Sequence, residues 1–418
     1  MGRAGSLLVA LVAATAVACG DDGAASSGAE GDGGVAPGPS GACGSVRLTQ
    51  YAASAGGWCE FDRTLDVLPA EIQGGMTLAI AEPYDGSSYG GDPGEACGEC
   101  WEIDTIHATR VVMVHDLCPI EGNPLCAGGH FHFDLAGEAA AALGGGELDE
   151  ASARRVPCPV SGNVFAQIID RNEWGYVRLQ LVNHRVPIRA VDYRAADGAT
   201  WFPLARSGGA WDVPENGEMF AADGPGGVFR LTSAQGEVVE CPNALGYGVG
   251  IGAVLDLGAQ LDDLEPPDGG PCEFVPPADV YVDGWGGIPE VRWASNPWSG
   301  VAIEETEDGC AAGSCLRVDP LPQWGGFHLY YRQAFPASTF STLSLKARAV
   351  SGTGTIDVAP NGDGGECAIT SVAIGPEWTE VTVDVAAACA GIDALNMVTA
   401  QNTGDPFELL VDDVRWSE

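Results

Sequence analysis

The sequence predicts an all-β protein, and three observations support this fold class. Its 418 residues include 60 glycines and 27 prolines, a composition typical of many short strands joined by tight turns. Short runs rich in β-branched and other apolar residues recur between those turns. Only one stretch, Ala136–Leu143 in the run LAGEAAAALGGG, has the alanine content and the closing glycines of a good helix.

The predicted strands fall into three groups along the chain. The third group ends in FELLVDDVRW, a strand that we expect to close a β-sandwich. The strands predicted in the first two groups are Met76–Ala81, Cys100–Asp104, Arg110–Asp116, Val164–Asp170, Gly175–Asn183, Ile188–Arg194 and Gly227–Ser233.

The length is typical of about two or three domains. We expect a first unit over residues 44–158 and a second over residues 159–256. The stretch 257–279 is rich in proline and acidic residues and predicts a linker, after which residues 280–418 form a third unit.

Residues 1–19 have the pattern of an export signal. Arg3 supplies the positive end, and SLLVALVAATAVA is an apolar stretch too short to span a membrane. It ends in Ala-Val-Ala before Cys19, which resembles a bacterial lipoprotein cleavage box with Cys19 as the lipidated residue. Ala16 stands where such a box usually has leucine, so simple secretion is the alternative. Residues 20–43 predict a flexible acidic tether, and the protein is expected at the cell surface or as an outer-membrane lipoprotein.

The charge of the chain excludes several partners. The formal net charge is −39, and Lys346 is the single lysine. No basic stripe is available to neutralise phosphates, so a nucleic-acid role is not expected. The same charge disfavours an electrostatic grip on anionic polymers and favours a neutral polysaccharide. Solubility in a high-salt or acidic setting is the alternative explanation.

The cysteine count predicts disulfides and one unpaired thiol. Assigning Cys19 to lipid leaves 13 of the 14 cysteines, an odd number. Cys97 and Cys100 form half of a zinc-type pattern, but the second half is missing. In an exported protein, disulfides are the favoured use.

Strand alternation singles out two aspartates. In HFHFDL, the phenylalanines and the leucine share one face, while His130, His132 and Asp134 share the other. In VVMVHD, Asp116 ends a row of apolar residues, where a carboxylate is costly unless it is hydrogen-bonded. Each aspartate is a candidate for chemistry, with a cap or turn role as the alternative. The two histidines beside Asp134 are a possible metal set, but we interpret them as strand residues that shape a groove and expect no metal.

The segments CGECWEI, HDLCP, HFDL and VPC, in this order and spacing, carry a family resemblance. They resemble the six-stranded double-psi β-barrel of expansins and of their relatives, the family 45 endoglucanases. The later segments YVRLQLVNHRVPI and VDY resemble the second expansin domain, an immunoglobulin-like β-sandwich and family 63 carbohydrate-binding module. The resemblance covers about residues 46–245. In the third unit, GIDALNM and FELLVDDVRW resemble the last strands of jelly-roll carbohydrate-binding modules.

The resemblance implies roles for particular residues. Asp134 matches the general acid of the endoglucanases and the indispensable acid of expansins. Asp116 matches the aspartate before the family's Cys-Pro, and Thr49 and Tyr51 match a Thr-x-Tyr near the start of the barrel. The position of the endoglucanases' catalytic base is Ala53 in this chain.

The missing base has a chemical consequence. An inverting glycosidase needs a base to activate water, with its carboxyl groups about 6.5–9.5 Å apart. Without it, the acid can hydrogen-bond or protonate a glycosidic oxygen but cannot complete hydrolysis. The resemblance therefore implies a non-hydrolytic protein, while substitution of Asp116 as base keeps hydrolysis open.

The family frame also implies a disulfide set. Six cysteines of the first unit would form three bridges, with Cys118–Cys126 as the local pair and the other pairings open. In the third unit, Cys310–Cys315 and Cys367–Cys389 are plausible pairs. The six are Cys59, Cys97, Cys100, Cys118, Cys126 and Cys158.

Four aromatic residues are candidates for stacking on sugar rings. Trp174 and Tyr176 share the polar face of an amphipathic strand, at a spacing of about 6.6 Å that is comparable to successive sugars. The alternative for Trp174 is a wedge between domains. The position of a third platform aromatic is Gly208 or Gly209, and Trp211 aligns better with a core position. Trp324, next to two loop glycines, is a candidate in the third unit, with a core role as the alternative.

These inferences predict an exported, monomeric, expansin-like protein that binds cellulose or a related β-glucan and loosens it without cutting, with no cofactor. The alternatives are a peptidoglycan lytic transglycosylase of the rare lipoprotein A type, an endoglucanase, and a purely carbohydrate-binding surface protein. Contact with a membrane is expected only through the lipid anchor.

Overall fold

The computed structural model describes residues 43–53, 56–60, 62–86, 92–127, 130–144, 148–213, 224, 226–246, 248–262, 272–288, 292–362 and 365–418. The predicted export signal, Cys19 and the tether up to residue 42 lie outside these ranges. In the described part of the chain, no helix is long and apolar enough to cross a membrane.

The first group of strands forms a closed six-stranded barrel in the order β1-β5-β2-β4-β3-β6. The pairs β1–β5 and β2–β4 are parallel and the other pairs are antiparallel. Two short helices accompany it, and α2 lies within the predicted helix. The elements are β1 Gly44–Tyr51, α1 Ala70–Gln73, β2 Thr77–Ala81, β3 Cys100–Asp104, β4 Thr109–Cys118, β5 His132–Ala136, α2 Gly137–Ala142 and β6 Leu148–Val156, with 3₁₀ turns at Glu82–Tyr84 and Pro124–Cys126.

Alternate residues of each strand fill the barrel. Trp101, Phe131 and Phe133 form an aromatic cluster with ring centroids 4.9–5.1 Å apart, and all three are buried. Their neighbours in sequence, among them His132 and Asp134, therefore lie on the outer face, as the alternation predicts.

The second group forms a β-sandwich of two sheets, in the orders β10-β9-β13-β14 and β11-β12-β8-β7-β15. Trp211 and Phe229 are buried in its core. The strands are β7 Phe165–Arg171, β8 Val177–Val182, β9 Ile188–Ala195, β10 Phe202–Pro203, β11 Ala205–Ser207, β12 Ala210–Val213, β13 Gly227–Ser233, β14 Val238–Glu240 and β15 Val254–Asp256.

The third group forms another β-sandwich. One sheet has the order β18-β19-β27-β21-β25 with β16 paired to β27, and the other has the order β17-β20-β26-β22-β23 with β24 paired to β22. The predicted final strand, β27, is thus central in its sheet rather than an edge. The elements are β16 Asp279–Tyr281, β17 Ala294–Trp298, β18 Ile303–Thr306, β19 Cys315–Leu321, β20 Gly326–Pro336, β21 Thr342–Ala349, β22 Gly354–Gly362, β23 Gly365–Glu366, β24 Thr370–Ile374, β25 Thr379–Asp384, α3 Val385–Ala388, β26 Ala394–Asn402 and β27 Phe407–Ser417. The all-β fold class is confirmed.

The disulfides include one that the sequence did not predict. The three local pairs are present, and Cys241 is the free cysteine of the described residues, buried in the second sandwich, where burial raises the pKa of its thiol to about 12. The unpredicted bridge, Cys43–Cys272, joins the end of the predicted tether to the predicted linker. The bridges are Cys43–Cys272, Cys59–Cys97, Cys100–Cys158, Cys118–Cys126, Cys310–Cys315 and Cys367–Cys389.

The end of the predicted linker is held against the barrel. The backbone N–H of Cys272 donates to Glu102 over 3.2 Å, and that of Phe274 donates to Asp104 over 2.7 Å. Residues 272–279 are therefore part of a packed interface, because backbone donors there find barrel carboxylates rather than water.

The third sandwich contacts the barrel through a buried carboxyl group. Tyr331 Oη donates to Glu150 Oε2 over 2.9 Å, and Gln333 Nε2 donates to the Glu150 carbonyl over 3.2 Å. Burial raises the pKa of Glu150, although the bond from Tyr331 opposes the rise.

Candidate functional site

Four residues of the barrel's outer face lie in one row across four strands. Asp116 of β4 is in register with Ala79 of β2, Ala79 is in register with Asp134 of β5, and Asp134 is in register with Thr49 of β1. The two aspartates are thus two strand spacings apart, about 9.5 Å between Cα atoms. Ala79, between them in the row, is buried.

A β-bulge brings Asp116 into this row. The register between β2 and β4 passes from Leu78–Val114 to Ala79–Asp116, so His115 is an extra residue in β4. Without the bulge, alternation would direct Asp116 into the core together with Val114, as the sequence reasoning assumed. That assumption was wrong, because the bulge turns the half-buried Asp116 to the outer face beside Asp134.

Asp134 is placed to act as an acid. Thr49 Oγ1 lies 2.7 Å from Asp134 Oδ1, and the side chain is partly buried. Burial raises the pKa of Asp134, the bond from Thr49 opposes the rise, and the nearby charge of Asp116 adds to it. The carboxyl group therefore keeps its proton to a higher pH than an exposed aspartate.

Thr49 also contacts a buried histidine, His132. His132 Nε2 lies 2.8 Å from Thr49 Oγ1, and its Nδ1 lies 2.8 Å from the Leu125 carbonyl. Burial lowers the pKa of His132 to about 4, so the ring is neutral near pH 7 and carries one N–H. The Leu125 carbonyl can only accept, which favours the tautomer with the proton on Nδ1.

Thr49 links this histidine to the carboxyl group of Asp134. Its hydroxyl donates to Asp134 Oδ1, and the same oxygen lies within hydrogen-bonding distance of His132 Nε2. Arg47 Nη2 lies 3.4 Å from His132 Nδ1 on the other side of the ring. The acid of the row is thus connected to a buried polar group.

Asp116 has different hydrogen-bond partners from Asp134. Its Oδ1 accepts backbone N–H groups from Trp58 over 2.7 Å and from Leu117 over 2.9 Å. A carboxylate is acceptor-only, so these two donors suit its ionised form. One carboxyl group with a raised pKa, near a second one that accepts two backbone N–H groups, is an arrangement that supports acid chemistry.

The Tyr51 phenol lies between these groups. Burial, and then the charges of Asp116 and Asp134, raise the pKa of Tyr51 well above its ordinary value. The phenol therefore stays protonated and can only add a neutral hydroxyl to the cleft.

The position of the missing base opens into a groove. Ala53 and Tyr51 line it together with Arg63, Glu138 and Ala141, and its volume is about 440 Å³. Ala53 supplies no carboxylate, and Glu138 is exposed on the helix that follows the Asp134 strand. The cleft is thus open beside the acid but lacks a base at the matching position.

Trp174 and Tyr176 lie in the turn before β8 rather than in the strand. Asn172 Oδ1 accepts the backbone N–H groups of both residues, over 2.9 and 3.1 Å. Trp174 is 63% exposed, which does not fit a wedge between domains, and the Tyr176 hydroxyl donates to Asp212 over 3.1 Å. The two rings are therefore presented by an ordered turn.

The rest of the polar face of β8 contacts the barrel. Arg178 Nε donates to Glu60 Oε2 over 2.8 Å, and the same guanidinium holds both oxygens of Asp212. Gln180, further along β8, donates to the Cys59 carbonyl. The second sandwich is thus held against the barrel beside the turn that carries the two aromatic rings.

Trp211 is not a binding residue, which corrects its place among the predicted sugar contacts. Its side chain is only 3% exposed, and the guanidinium carbon of Arg206 lies 4.1 Å from the ring centroid. A ring covered by protein on both sides offers no face to a sugar.

The adjacent hairpin tip explains the missing platform aromatic. A Cβ atom at Gly209 would lie 2.6 Å from Cys59 Cα and 2.7 Å from Cys97 Sγ, and Gly208 lies against Trp58. The tip packs on the barrel, so no side chain fits at Gly209, and Gly208 has a φ of 60°, which favours glycine.

Trp58 is a residue that the sequence reasoning missed. It is half-buried between the barrel core and the hairpin tip, and its backbone N–H is one of the donors to Asp116. Its place between the aspartate row and the second sandwich depends on the Cys59–Cys97 bridge and on domain packing. A Trp-Cys pair alone carries no such signal.

Comparison with known proteins points to one family. No protein-family model matches the chain. Expansin-like protein 2 of Dictyostelium discoideum is 27% identical over 247 residues, which are 58% of this chain and 52% of that protein. Expansin-like protein 5 of the same organism is 31% identical over 118 residues, 27% of this chain and 48% of that protein. This chain is expansin-like. It spans about half the length of these curated relatives.

One solved structure with partial similarity is the expansin of Clavibacter michiganensis. It is 23% identical, covers 52% of this expansin-like chain and 98% of its own, and superposes with a TM-score of 0.42. In this expansin-like chain, the residues that the family resemblance singled out, Thr49, Tyr51, Asp116 and Asp134, lie together in one cleft.

Proposed function

We propose that this protein binds cellulose or a related β-glucan and loosens the packing of its chains without hydrolysis. The observation that carries this proposal is the cleft row, in which burial raises the pKa of Asp134 and position 53 holds an alanine. Such a cleft can donate a hydrogen bond or a proton to a glycan oxygen but lacks the base that activates water at the matching position.

The loosening step needs only the groups in the cleft. Protonated Asp134 presents an O–H donor to a glucan strand, and this donor competes with the hydrogen bonds that hold the strand to its neighbours. Asp116 accepts a sugar hydroxyl through the oxygen that its backbone donors leave open. Trp174 and Tyr176 stack on the sugar rings of the same polymer and keep the cleft at the surface.

The same proposal covers where the protein acts and which kind of glycan it binds. We infer that the protein is exported and acts outside the cell, anchored by lipid at Cys19 or released. The net charge of −39 supports a neutral glycan, because an anionic polymer would be repelled. Its six disulfides support an oxidising compartment.

The test compares the whole protein with Asp134→Asn on cellulose and on peptidoglycan sacculi, with pull-down, soluble products and mechanical weakening of cellulose paper as readouts. Both proteins should bind cellulose, neither should release sugar, and only the unaltered protein should weaken the paper. Trp174→Ala is the matched control. It should reduce the amount of protein pulled down with cellulose, and it should release no soluble sugar.

Three other outcomes would each contradict the proposal. Reducing sugar that disappears in Asp134→Asn and Asp116→Asn would make the protein an endoglucanase with Asp116 as base. Soluble anhydro-muropeptides that disappear in Asp134→Asn would make it a lytic transglycosylase. Weakening of the cellulose paper that persists in Asp134→Asn would show that carbohydrate binding alone causes it.

A further inference from the structure

We infer a second glycan-binding site on the third sandwich, on the outer face of the sheet β17-β20-β26-β22, where Trp324, Trp298 and His328 bind one neutral glucan chain. This site deepens the proposed function and rests on it only for the choice of glucan as ligand. It is separate from the barrel cleft and from the Trp174 turn.

The register shows which residues share this outer face. His328 of β20 is opposite Asn296 of β17 and Thr399 of β26, and Thr399 is opposite Ala359 of β22. The neighbours of His328 in β20, Phe327 and Leu329, are buried in the core, so the His328 row points outwards. The next row is formed by Ala294, Tyr330, Met397 and Asn361.

Trp324 stands at the edge of this face as an exposed ring on a rigid support. Its side chain is 58% exposed, and its backbone has a φ of 64°, a left-handed conformation uncommon for a tryptophan. The Trp324 carbonyl accepts Trp298 Nε1 over 3.1 Å and Gln401 Nε2 over 3.2 Å, and its N–H donates to the Asn402 carbonyl over 2.8 Å. Three hydrogen bonds thus hold an apolar ring out in solvent, which burial does not explain.

His328 is held in place by its neighbours on this face. Asn361 Nδ2 donates to Thr399 Oγ1 over 2.6 Å, and Thr399 Oγ1 lies 2.9 Å from His328 Nδ1. Burial lowers the pKa of His328. Trp298 packs on the imidazole with ring centroids 4.7 Å apart and fixes its orientation.

The chemistry of the face selects a neutral glycan. An exposed indole matches the apolar face of a pyranose, and fixed N–H and amide groups match its hydroxyls. Asp357, opposite Gln401 on the same face, accepts the Ser371 hydroxyl as a carboxylate and disfavours an anionic ligand.

The test uses affinity electrophoresis of the full chain in gels that contain hydroxyethylcellulose, which is neutral, or carboxymethylcellulose, which is anionic. Trp324→Ala and His328→Ala should each weaken binding to the neutral polymer by about tenfold. Trp324→Tyr and His328→Gln should retain most of it, because they keep a ring and a donor. Binding to the anionic polymer should be weaker for every variant.

The controls separate this site from the rest of the molecule. Trp378→Ala removes a tryptophan from the opposite sheet of the same sandwich and should leave binding unchanged. The thermal unfolding midpoint of each variant checks that the sandwich is folded. Trp174→Ala should reduce pull-down on insoluble cellulose more than binding in the gel.

The inference is overturned when Trp324→Ala and His328→Ala bind the soluble polymer and insoluble cellulose as well as the unaltered protein does, or when the unaltered protein binds neither. Failure of the proposed function looks different: paper weakening would then be absent or independent of Asp134, while the Trp324-dependent binding persists.

Discussion

Two aspartates on strands of the barrel that flank β2 differ in their hydrogen-bond partners. Asp116 accepts two backbone N–H groups, whereas Asp134 accepts the hydroxyl of Thr49, which also contacts the buried His132. Burial is the largest cause of the raised pKa of Asp134, and the negative charge of Asp116 raises it further. The pKa of Asp134 therefore depends on the charge of Asp116 as well as on the burial of its own side chain.

This dependence predicts the effect of Asp116→Asn on the Asp134 proton. Removing the Asp116 charge removes one cause of the raised pKa, so Asp134 should titrate at lower pH. Carboxyl-carbon NMR titration measures this shift without reference to activity.

If loosening requires protonated Asp134, activity is present at low pH and is lost as pH rises through that pKa, and the loss should move to lower pH in the variant. Glu138→Gln, a change outside the cleft row, should leave the titration where it was, and an unchanged Asp134 titration in Asp116→Asn would contradict the coupling.

At the scale of elements, the hairpin of β11 and β12 joins the second sandwich to the barrel. Its tip approaches the Cys59–Cys97 bridge so closely that Gly209 has no room for a side chain. Arg206, which precedes the tip in β11, donates to the Gly94 carbonyl of the barrel over 2.9 Å and covers Trp211. The same hairpin that could have carried a platform aromatic therefore holds the domains together.

Gly209→Ala should destabilise this contact. The added methyl group meets backbone and disulfide atoms rather than the end of a flexible side chain, so overpacking should cost about 1–3 kcal/mol. Thermal or urea unfolding of the full chain measures it. Gly246→Ala is the matched control, because a Cβ there meets nothing within 4 Å. Equal stability of the two variants would show that the tip is not tightly packed in solution.

At the scale of the whole molecule, the third sandwich is attached to the barrel by a covalent bridge and by a buried carboxyl group. Cys43–Cys272 spans 229 residues of sequence, and Glu150 accepts the Tyr331 hydroxyl in a buried interface. The barrel is thus in contact with both sandwiches, and each sandwich carries a candidate glycan site.

The buried Glu150 predicts a pH-dependent stability. Its pKa is raised in the folded state, so its stabilising contribution is fully present below the unfolded pKa of about 4.3 and is lost as pH rises through the folded pKa. Glu150→Gln keeps an acceptor for Tyr331 without the charge. The variant should unfold at a higher temperature than the unaltered protein at pH 7, and this advantage should vanish near pH 4, as measured by calorimetry at both values. Glu173→Gln, in the exposed turn beside Trp174, should show no such difference; a lower midpoint for Glu150→Gln at pH 7 would mean that the ionised carboxylate stabilises the interface.

Much of the fold was predictable from local patterns. The α2 helix follows from an alanine run closed by glycines, and the outward placement of Asp134 follows from the alternation of HFHFDL. The local disulfides follow from short separations. The placement of Asp116 was not predictable, because a bulge is a property of two paired strands and the residue that accommodates it, His115, looks like any other strand residue.

By itself, the sequence determined the all-β class, the net charge of −39 and the residue types in the cleft, because these depend on composition, period and order along the chain. Only the tertiary structure decided that Trp211 is buried, that Trp58 contacts the aspartate row, that Cys43 pairs with Cys272, and that Trp324 stands beside Trp298 and His328. Each of these depends on strands or loops far apart in sequence meeting in space, and pairing of that kind is set by the packing of whole sheets rather than by any local pattern.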